Sequence, residues 1–325
     1  MLKLKNLNTN FELVKEILEK YWEYDLDTLD EMLGYYRISS NAIYPYRSHG
    51  NVCFLRLAPV EEKLEKNLYG EMEYIQYLAQ NNYSALRLIP SKSGEICLKL
   101  NTSWGSYYAT SFRSVKGMQI ENTDKSGDIM YSYGKALGKL HVLSAEYTPN
   151  IKKWDHTEVL EWIDIVLHEH QAPKFAFIEL AWIKETLSRL PIHTNNYGLI
   201  HYDFEFDNVF YNAESKSCSV IDFDDGMYHW YALDIVQAFD CLDEELSGET
   251  CEFAKSEFLK GYCSEHILTE EMQESYPLMR RFTNLYSYAR LIRCVADKFD
   301  VEPDWMSELR IKLDTVIHSK EAKMN

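Results

Sequence analysis

The sequence predicts an α+β fold in two lobes: a small antiparallel β-sheet lobe with one helix, then a larger, mostly helical lobe. Three observations carry this expectation. The chain has 325 residues, 46% of them hydrophobic, which suits two lobes each with a core. Between about Tyr35 and Gly117, short β-prone stretches alternate with turn residues. Beyond Gly117 apolar residues recur at helical spacing, apart from one short β insertion near residues 199–221. The expected division is a helical segment over 1–34, a β-rich N-lobe over 35–117 and a helical C-lobe over 118–325.

The elements follow in order. Over residues 10–21, Phe11, Val14, Ile17, Leu18 and Tyr21 fall on one helical face. Strands are expected at Tyr35–Ser39, Ala42–Arg47, Val52–Leu57, Glu95–Leu100 and Tyr107–Val115, because Ser-Asn, His-Gly, Lys-Ser-Gly and Thr-Ser-Trp-Gly break the chain between them. One helix, about Glu61–Asn81, interrupts the strands, and the connection between lobes falls near 112–120. The next helix, capped by Ser126 or Asp128, presents Ile129, Tyr133, Leu137, Leu140 and Leu143. Pro173 and Pro191 end helices over 157–170 and 174–190. Later helices are expected at 231–245, 249–265, 270–297 and 303–320, with Pro303 near the start of the last.

Composition narrows the function. A net charge of −17 argues against nucleic-acid and anionic-membrane partners. No run approaches the ~20 apolar residues a membrane-spanning helix needs, and the opening MLKLKNLNTN has no apolar leader segment. Seven scattered cysteines form no CxxC pair, which predicts buried free thiols and a cytoplasmic location.

The chemistry concentrates in residues 198–225, GLIHYDFEFDNVFYNAESKSCSVIDFDD, which hold seven carboxylates against one lysine. Leu199–His201, Val209–Tyr211 and Ser219–Ile221 read as short strands, with Asn212–Ser217 a turn between the last two. If those two form a hairpin, Asn208 and Asp222 meet at its open end. Amide and carboxylate oxygens are hard ligands, and Mg²⁺ accepts one or two carboxylates together with substrate phosphates. Asp203, five residues before Asn208, is placed to take a proton from a hydroxyl.

The pattern His201-Tyr-Asp203-x4-Asn208, an apolar strand, then Ile221-Asp222-Phe223-Asp224, resembles the aminoglycoside phosphotransferase/choline kinase family. These are small-molecule kinases with a protein-kinase-like fold, including homoserine-kinase-type-II-like members. The resemblance implies Asp203 as catalytic base, Asn208 and Asp222 as Mg²⁺ ligands, ATP as donor and a hydroxyl acceptor. It implies structural braces at His201 and at Asp234, in Trp230-Tyr-Ala-Leu-Asp-Ile-Val. Asp224, Glu205, Asp207 and Asp225 are candidates for supporting the metal or contacting substrate. On the third strand, Arg56 stands where the family holds ATP phosphates. Glu71, in Glu-Met-Glu-Tyr-Ile-Gln-Tyr-Leu, is its expected partner, with Glu73 the competitor. Leu137-Gly-Lys-Leu-His141 resembles the family's helix before the catalytic segment.

Two departures stand out. The family's Gly after the catalytic His is Tyr202 here, which is accommodated only if the backbone φ is ordinary at that position. The hairpin Ser39-Ser40-Asn41 lacks a Gly-rich loop, so Ser40 and backbone N–H groups would have to hold the phosphates. Tyr228-His-Trp-Tyr231 reads as a core cluster or as an aromatic wall of the acceptor pocket. The expected activity is transfer of the ATP γ-phosphoryl group to a small, amine-bearing, cationic alcohol. The alternatives are a nucleotide-binding pseudokinase or regulator of the same fold, and a Mg²⁺-dependent hydrolase.

Overall fold

The computed structural model describes Lys3, residues 10–298 and residues 302–324. Most of the opening stretch read for a leader (residues 1, 2 and 4–9) lies outside the described residues, as do 299–301 and 325. The chain folds as an α+β protein of the protein-kinase-like type. Its N-terminal sheet contains β1 (Arg37–Ile38), β2 (Ala42–Ser48), β3 (Asn51–Pro59), β4 (Arg87–Ile89), β5 (Cys97–Thr102) and β6 (Gly105–Arg113). Antiparallel pairing runs β1-β2-β3-β6-β4, and β5 shares the outer edge of β6 with β4.

Strand alternation decides what this sheet does. On β3, Cys53, Leu55 and Leu57 face a buried cluster with helix α1 (Phe11–Tyr21) and the short helix α2 (Leu29–Leu33). The N-terminal segment is therefore the backing of the N-lobe sheet. Asn10 caps α1, accepting the Leu13 N–H at 2.9 Å. Arg56 has the opposite parity and faces helix α3 (Glu65–Gln80), which packs Leu68, Met72 and Ile75 into the main core with Tyr108 and Phe112 of β6.

The chain leaves β6 and passes Gly117, where φ is +116° and a Cβ would meet the Tyr211 carbonyl oxygen at 2.5 Å. Only glycine fits so close a crossing. It then forms β7 (Met118–Gln119) and the long buried helix α4 (Gly127–Glu146). Ser126 stands at the N-cap of α4 but makes no side-chain cap there. Helices α5 (His156–Glu169) and α6 (Lys174–Leu187) follow, and Asp155 forms a full capping box with Glu158 at the start of α5.

The β insertion comprises β8 (Tyr197–Ile200), β9 (Val209–Asn212), β10 (Ser217–Val220) and β11 (Met227–Trp230). β9 and β10 form the expected hairpin, with β7 on the far side of β9, while β8 pairs with β11. The remainder is α7 (Ala232–Glu245), α8 (Gly248–Cys263), α9 (Glu270–Glu274), α10 (Tyr276–Val295) and α11 (Asp304–Ala322). Among the described residues no helix is long and apolar enough to cross a membrane, and all seven cysteines are free.

Candidate active site

Strand β8 delivers the segment 201–208 to the floor of the cleft between the lobes. Its backbone is fixed from beneath by Asp234 on α7, which is fully buried. The Asp234 carboxylate accepts the His201 and Tyr202 N–H groups at 2.9 and 2.8 Å, and His141 Nε2–H on α4 at 3.0 Å. With Nε2 donating, His141 Nδ1 accepts from the Tyr262 hydroxyl at 2.9 Å. Burial pulls the His141 pKa down, against the opposing pull of Asp234. His201 is also fully buried: its Nδ1 accepts the Asp203 N–H at 3.2 Å and its Nε2 donates to the Ile221 carbonyl at 2.8 Å. It thus ties the 201–208 loop to the end of β10.

The expectation of an ordinary φ at Tyr202 fails. Its φ is +65°, the left-handed region glycine favours. A non-glycine residue there costs roughly 1–2 kcal/mol. The offset is visible: the Tyr202 ring is buried edge-on against Tyr286, with centroids 5.2 Å apart, and Gln237 donates to the Tyr202 carbonyl at 2.7 Å. Deleting a buried aromatic ring costs about 3–5 kcal/mol, so packing outweighs strain. The backbone conformation is kept and the glycine is not needed.

At the open end of the β9–β10 hairpin, the Ile221 N–H donates to the Asn208 carbonyl at 3.0 Å, which brings Asn208 and Asp222 side by side. Asn208 Nδ2 donates to the backbone oxygen of Asp203 at 3.0 Å and to its Oδ2 at 2.9 Å. That leaves the Asn208 amide oxygen as an acceptor. Asp222 adopts φ +63° and opens into the cleft, with no hydrogen-bond or ion-pair partner among the described residues. Its pKa is nonetheless pushed up to about 6, first because the two lobes wall off its surroundings, then by Asp224 and Asp225, with Arg56 opposing. Asp203 is held well above its usual value by burial and by Asp225, Glu205 and Asp222. Both shifts describe negative charge without enough positive charge beside it. No three His, Cys, Asp or Glu side chains among the described residues are grouped to hold a metal alone. Two oxygen donors in a charge-deficient site instead fit a Mg²⁺-like ion that draws its other ligands from phosphates and water.

Across the cleft the charges are matched. Arg56 makes a two-pronged ion pair with Glu71, both contacts at 2.8 Å, and donates Nε–H to Thr110 Oγ1 at 3.2 Å. Burial pulls the Arg56 pKa down, but Glu71 more than offsets this and holds it above its usual value. Glu73 turns away and accepts the Asn150 and Ile151 N–H groups at 2.7 and 3.0 Å.

The remaining candidate acids divide. Asp224 accepts from Lys63 Nζ at 2.5 Å and from Asn41 Nδ2 at 3.1 Å. Burial pushes the Asp224 pKa up, yet Lys63, Arg56 and Lys153 hold it well below normal. Asp225 pairs with Arg290 of α10 at 2.6 Å, and Arg290 also reaches Ser40 Oγ at 3.4 Å. The hairpin tip Ser40-Asn41 therefore rests on the Asp224–Asp225 side of the cleft. Asp207 pairs loosely with Arg37 at 3.4 Å. The Glu205 carboxylate makes no hydrogen bond or ion pair among the described residues, and its pKa is raised by its protein surroundings and by Asp207, Glu244 and Asp240.

A cavity of about 120 Å³ lies beside Asp225, walled by Trp154, Trp162, Tyr286, Leu64 and Arg290. This aromatic wall is not the one considered for Tyr228–Tyr231. Those four residues are buried, three of them in β11 against β8, and serve the core. Lys63, Lys153, Trp154, Trp162, Tyr286 and Arg290 were not singled out from the sequence. Each reaches the site from a distant element, and no local spacing marks it.

A fold of this kind, with this constellation in its cleft, defines a kinase-like small-molecule phosphotransferase. The model of the phosphotransferase enzyme family matches residues 46–274, and the chain belongs to that family. It is similar to amicoumacin kinase of Bacillus subtilis (strain 168), 24% identical over 78% of this chain and 77% of that one. Among solved structures it resembles the amicoumacin kinase hAmiN bound to AMP-PNP, Ca²⁺ and Ami, with TM-score 0.77 at 20% identity over 98% of this chain and 95% of that one. It also resembles a microcompartment-associated aminopropanol kinase, with TM-score 0.65 at 15% identity over 95% of each chain.

Proposed function

We propose that the protein transfers the γ-phosphoryl group of Mg²⁺-bound ATP to a hydroxyl of a small, amine-bearing molecule. The observation that carries this reading is the pairing of an under-compensated acidic site (Asp203, Asn208, Asp222) with a completed Arg56–Glu71 ion pair facing it. Arg56, held rigid by Glu71 and Thr110, presents positive charge to the nucleotide phosphates, with Ser40 at the hairpin tip as a further contact. Asn208 and Asp222 hold the metal. When bound, the metal neutralises the phosphates and orients the γ-phosphoryl group for in-line transfer. Asp203, with one oxygen fixed by Asn208, accepts the acceptor's hydroxyl proton.

The amine reading rests on Glu205, an acid near Asp203 with no ion-pair partner among the described residues, in a surround that includes Asp207, Asp240 and Glu244. Of the three similar kinases named above, one is by name an aminopropanol kinase, and aminopropanol is an amino alcohol of this class. The test is a product assay with Mg·ATP and a panel of amino alcohols and amine-bearing antibiotics. Asp203→Asn is expected to lower turnover about 10²–10⁴-fold, the range of a general base, with AMP-PNP binding retained. Full turnover by that variant would remove Asp203 from the role. ATP binding with neither ADP nor phosphorylated product across the panel would favour a pseudokinase.

A further inference from the structure

One buried charge takes no part in the scheme above. Lys153 is 2% exposed and sits just ahead of α5. Its ammonium donates to the Phe223 carbonyl at 2.9 Å and the Asp224 carbonyl at 2.8 Å, the two peptide groups that follow Asp222. In an extended chain successive carbonyls point to opposite sides. Aiming both at one ammonium therefore bends the loop immediately after Asp222, whose own φ is +63°. Among the described residues the Asp224 carbonyl has no other donor, and the Phe223 carbonyl has one, the Gly226 N–H at 3.3 Å.

The lysine's own segment is anchored on both sides. Trp154 N–H donates to Asn67 of α3 at 2.8 Å, and the Tyr228 N–H of β11 donates to the Trp154 carbonyl at 3.0 Å. Helix α3 lies directly on the lysine stem: a Cβ at Gly70 would meet Lys153 Cγ and the Ile151 carbonyl oxygen, each at 2.8 Å. Gly70 adjoins Glu71, the partner of Arg56. The helix that fixes the phosphate-facing arginine and the loop that carries Asp222 thus share one support.

We infer that Lys153 is a positioning residue for metal binding: its ammonium holds the 222–225 loop in the bend that turns Asp222 toward Asn208, and couples that loop to α3. An apolar side chain of equal length would fill the space but leave the Asp224 carbonyl without a donor. The inference rests on the reading of Asn208 and Asp222 as metal ligands, and the experiment separates the two.

Mn²⁺ binding to the full chain in the presence of AMP-PNP is followed by electron paramagnetic resonance, with metal-free AMP-PNP affinity measured in parallel. Lys153→Met is expected to weaken Mn²⁺ binding by about 10–100-fold, the usual cost of losing a support behind a metal ligand, with metal-free nucleotide affinity unchanged. Lys153→Arg, which keeps the charge and donors, is expected to recover most of it, and Lys153→Gln, with fewer donors, to fall between. Equal Mn²⁺ affinity in wild type and Lys153→Met overturns the inference alone. Parallel loss of metal-dependent and metal-free nucleotide binding overturns it too, as does failure of both the Met and Gln variants to give a cooperative thermal melt, because the lysine is then merely structural. Absence of Mn²⁺ binding by the wild-type protein with AMP-PNP overturns the metal reading itself.

Discussion

The two charged clusters that face each other across the cleft are built on opposite principles. Arg56 and Glu71 are 4% and 1% exposed, bonded to each other twice, with Thr110 taking a further donor. Nothing is missing from that pair. The opposite cluster has Asp203 and Asp222 with raised pKa values, and the Asp222 carboxylate has no partner among the described residues. A buried ion pair is tolerated because each charge compensates the other. Like charges crowded together are tolerated only when something external compensates them or when they take up protons. The difference separates the part of the cleft whose charges compensate each other from the part that the proposed metal ion would complete.

The largest effect expected from this comparison is on stability. Glu71→Ala leaves the buried Arg56 charge without its partner and should cost about 3–5 kcal/mol in denaturant melts. The double variant Arg56→Met/Glu71→Leu removes both charges together and should melt close to wild type, while phosphoryl transfer is lost. A stable Glu71→Ala variant would show that the pair is not the closed unit described. Asp222→Asn should behave in the opposite way. The folded-state pKa of Asp222 is raised to about 6 from 3.8, so its charged form is disfavoured in the metal-free fold at pH 7. That penalty is fully present above pH 6 and is relieved as the carboxyl takes up a proton on the way toward pH 4. Asp222→Asn should therefore melt at the same or a higher temperature than wild type at pH 7, with the gap closing below pH 6. Its Mn²⁺ binding with AMP-PNP should weaken at least roughly tenfold, as one of the two proposed protein ligands is lost. Destabilisation of this variant in the absence of metal would break the comparison.

How far these features could be read from the chain follows the same division. Asp203, Asn208, Asp222 and Asp234 lie within 32 positions, on elements whose alternation of apolar and polar residues is local, and the hairpin that joins two of them is bounded by an Asn-Ala-Glu-Ser turn. Arg56 and Glu71 follow from the resemblance, which implies a cation on the third strand and an acid on the helix after it. The compensating cations did not obey any such rule. Lys63 and Arg290 meet Asp224 and Asp225 from positions 161 and 65 residues away, and only the closed fold brings them together. Tyr202 was misjudged for a related reason. Its strain is a local property, but the Tyr286 ring and the Gln237 amide that offset it come from α10 and α7. The short elements α2, β4 and β7 were missed because their residues carry no periodicity long enough to register, and pairing to β6 or β9 alone defines the strands.

The smallest expected effect tests whether exposure is what separates complete pairs from decorative ones. Arg37 of β1 and Asp207 of the 201–208 segment span the cleft at 3.4 Å, but their side chains are 68% and 31% exposed. Water screens such a pair and two mobile side chains must be ordered to make it, so its net worth is about 0–1 kcal/mol. Arg37→Ala should therefore shift the denaturation midpoint only slightly at low salt, and the shift should vanish in 1 M NaCl, where the screening length falls to about 3 Å. The Arg56–Glu71 pair, out of reach of solvent ions, should keep its contribution at that salt concentration. A loss from Arg37→Ala as large as that from Glu71→Ala, or one insensitive to salt, would mean that burial does not distinguish the clusters. The contact between β1 and the 201–208 segment would then have to be counted among the fixed supports of the cleft.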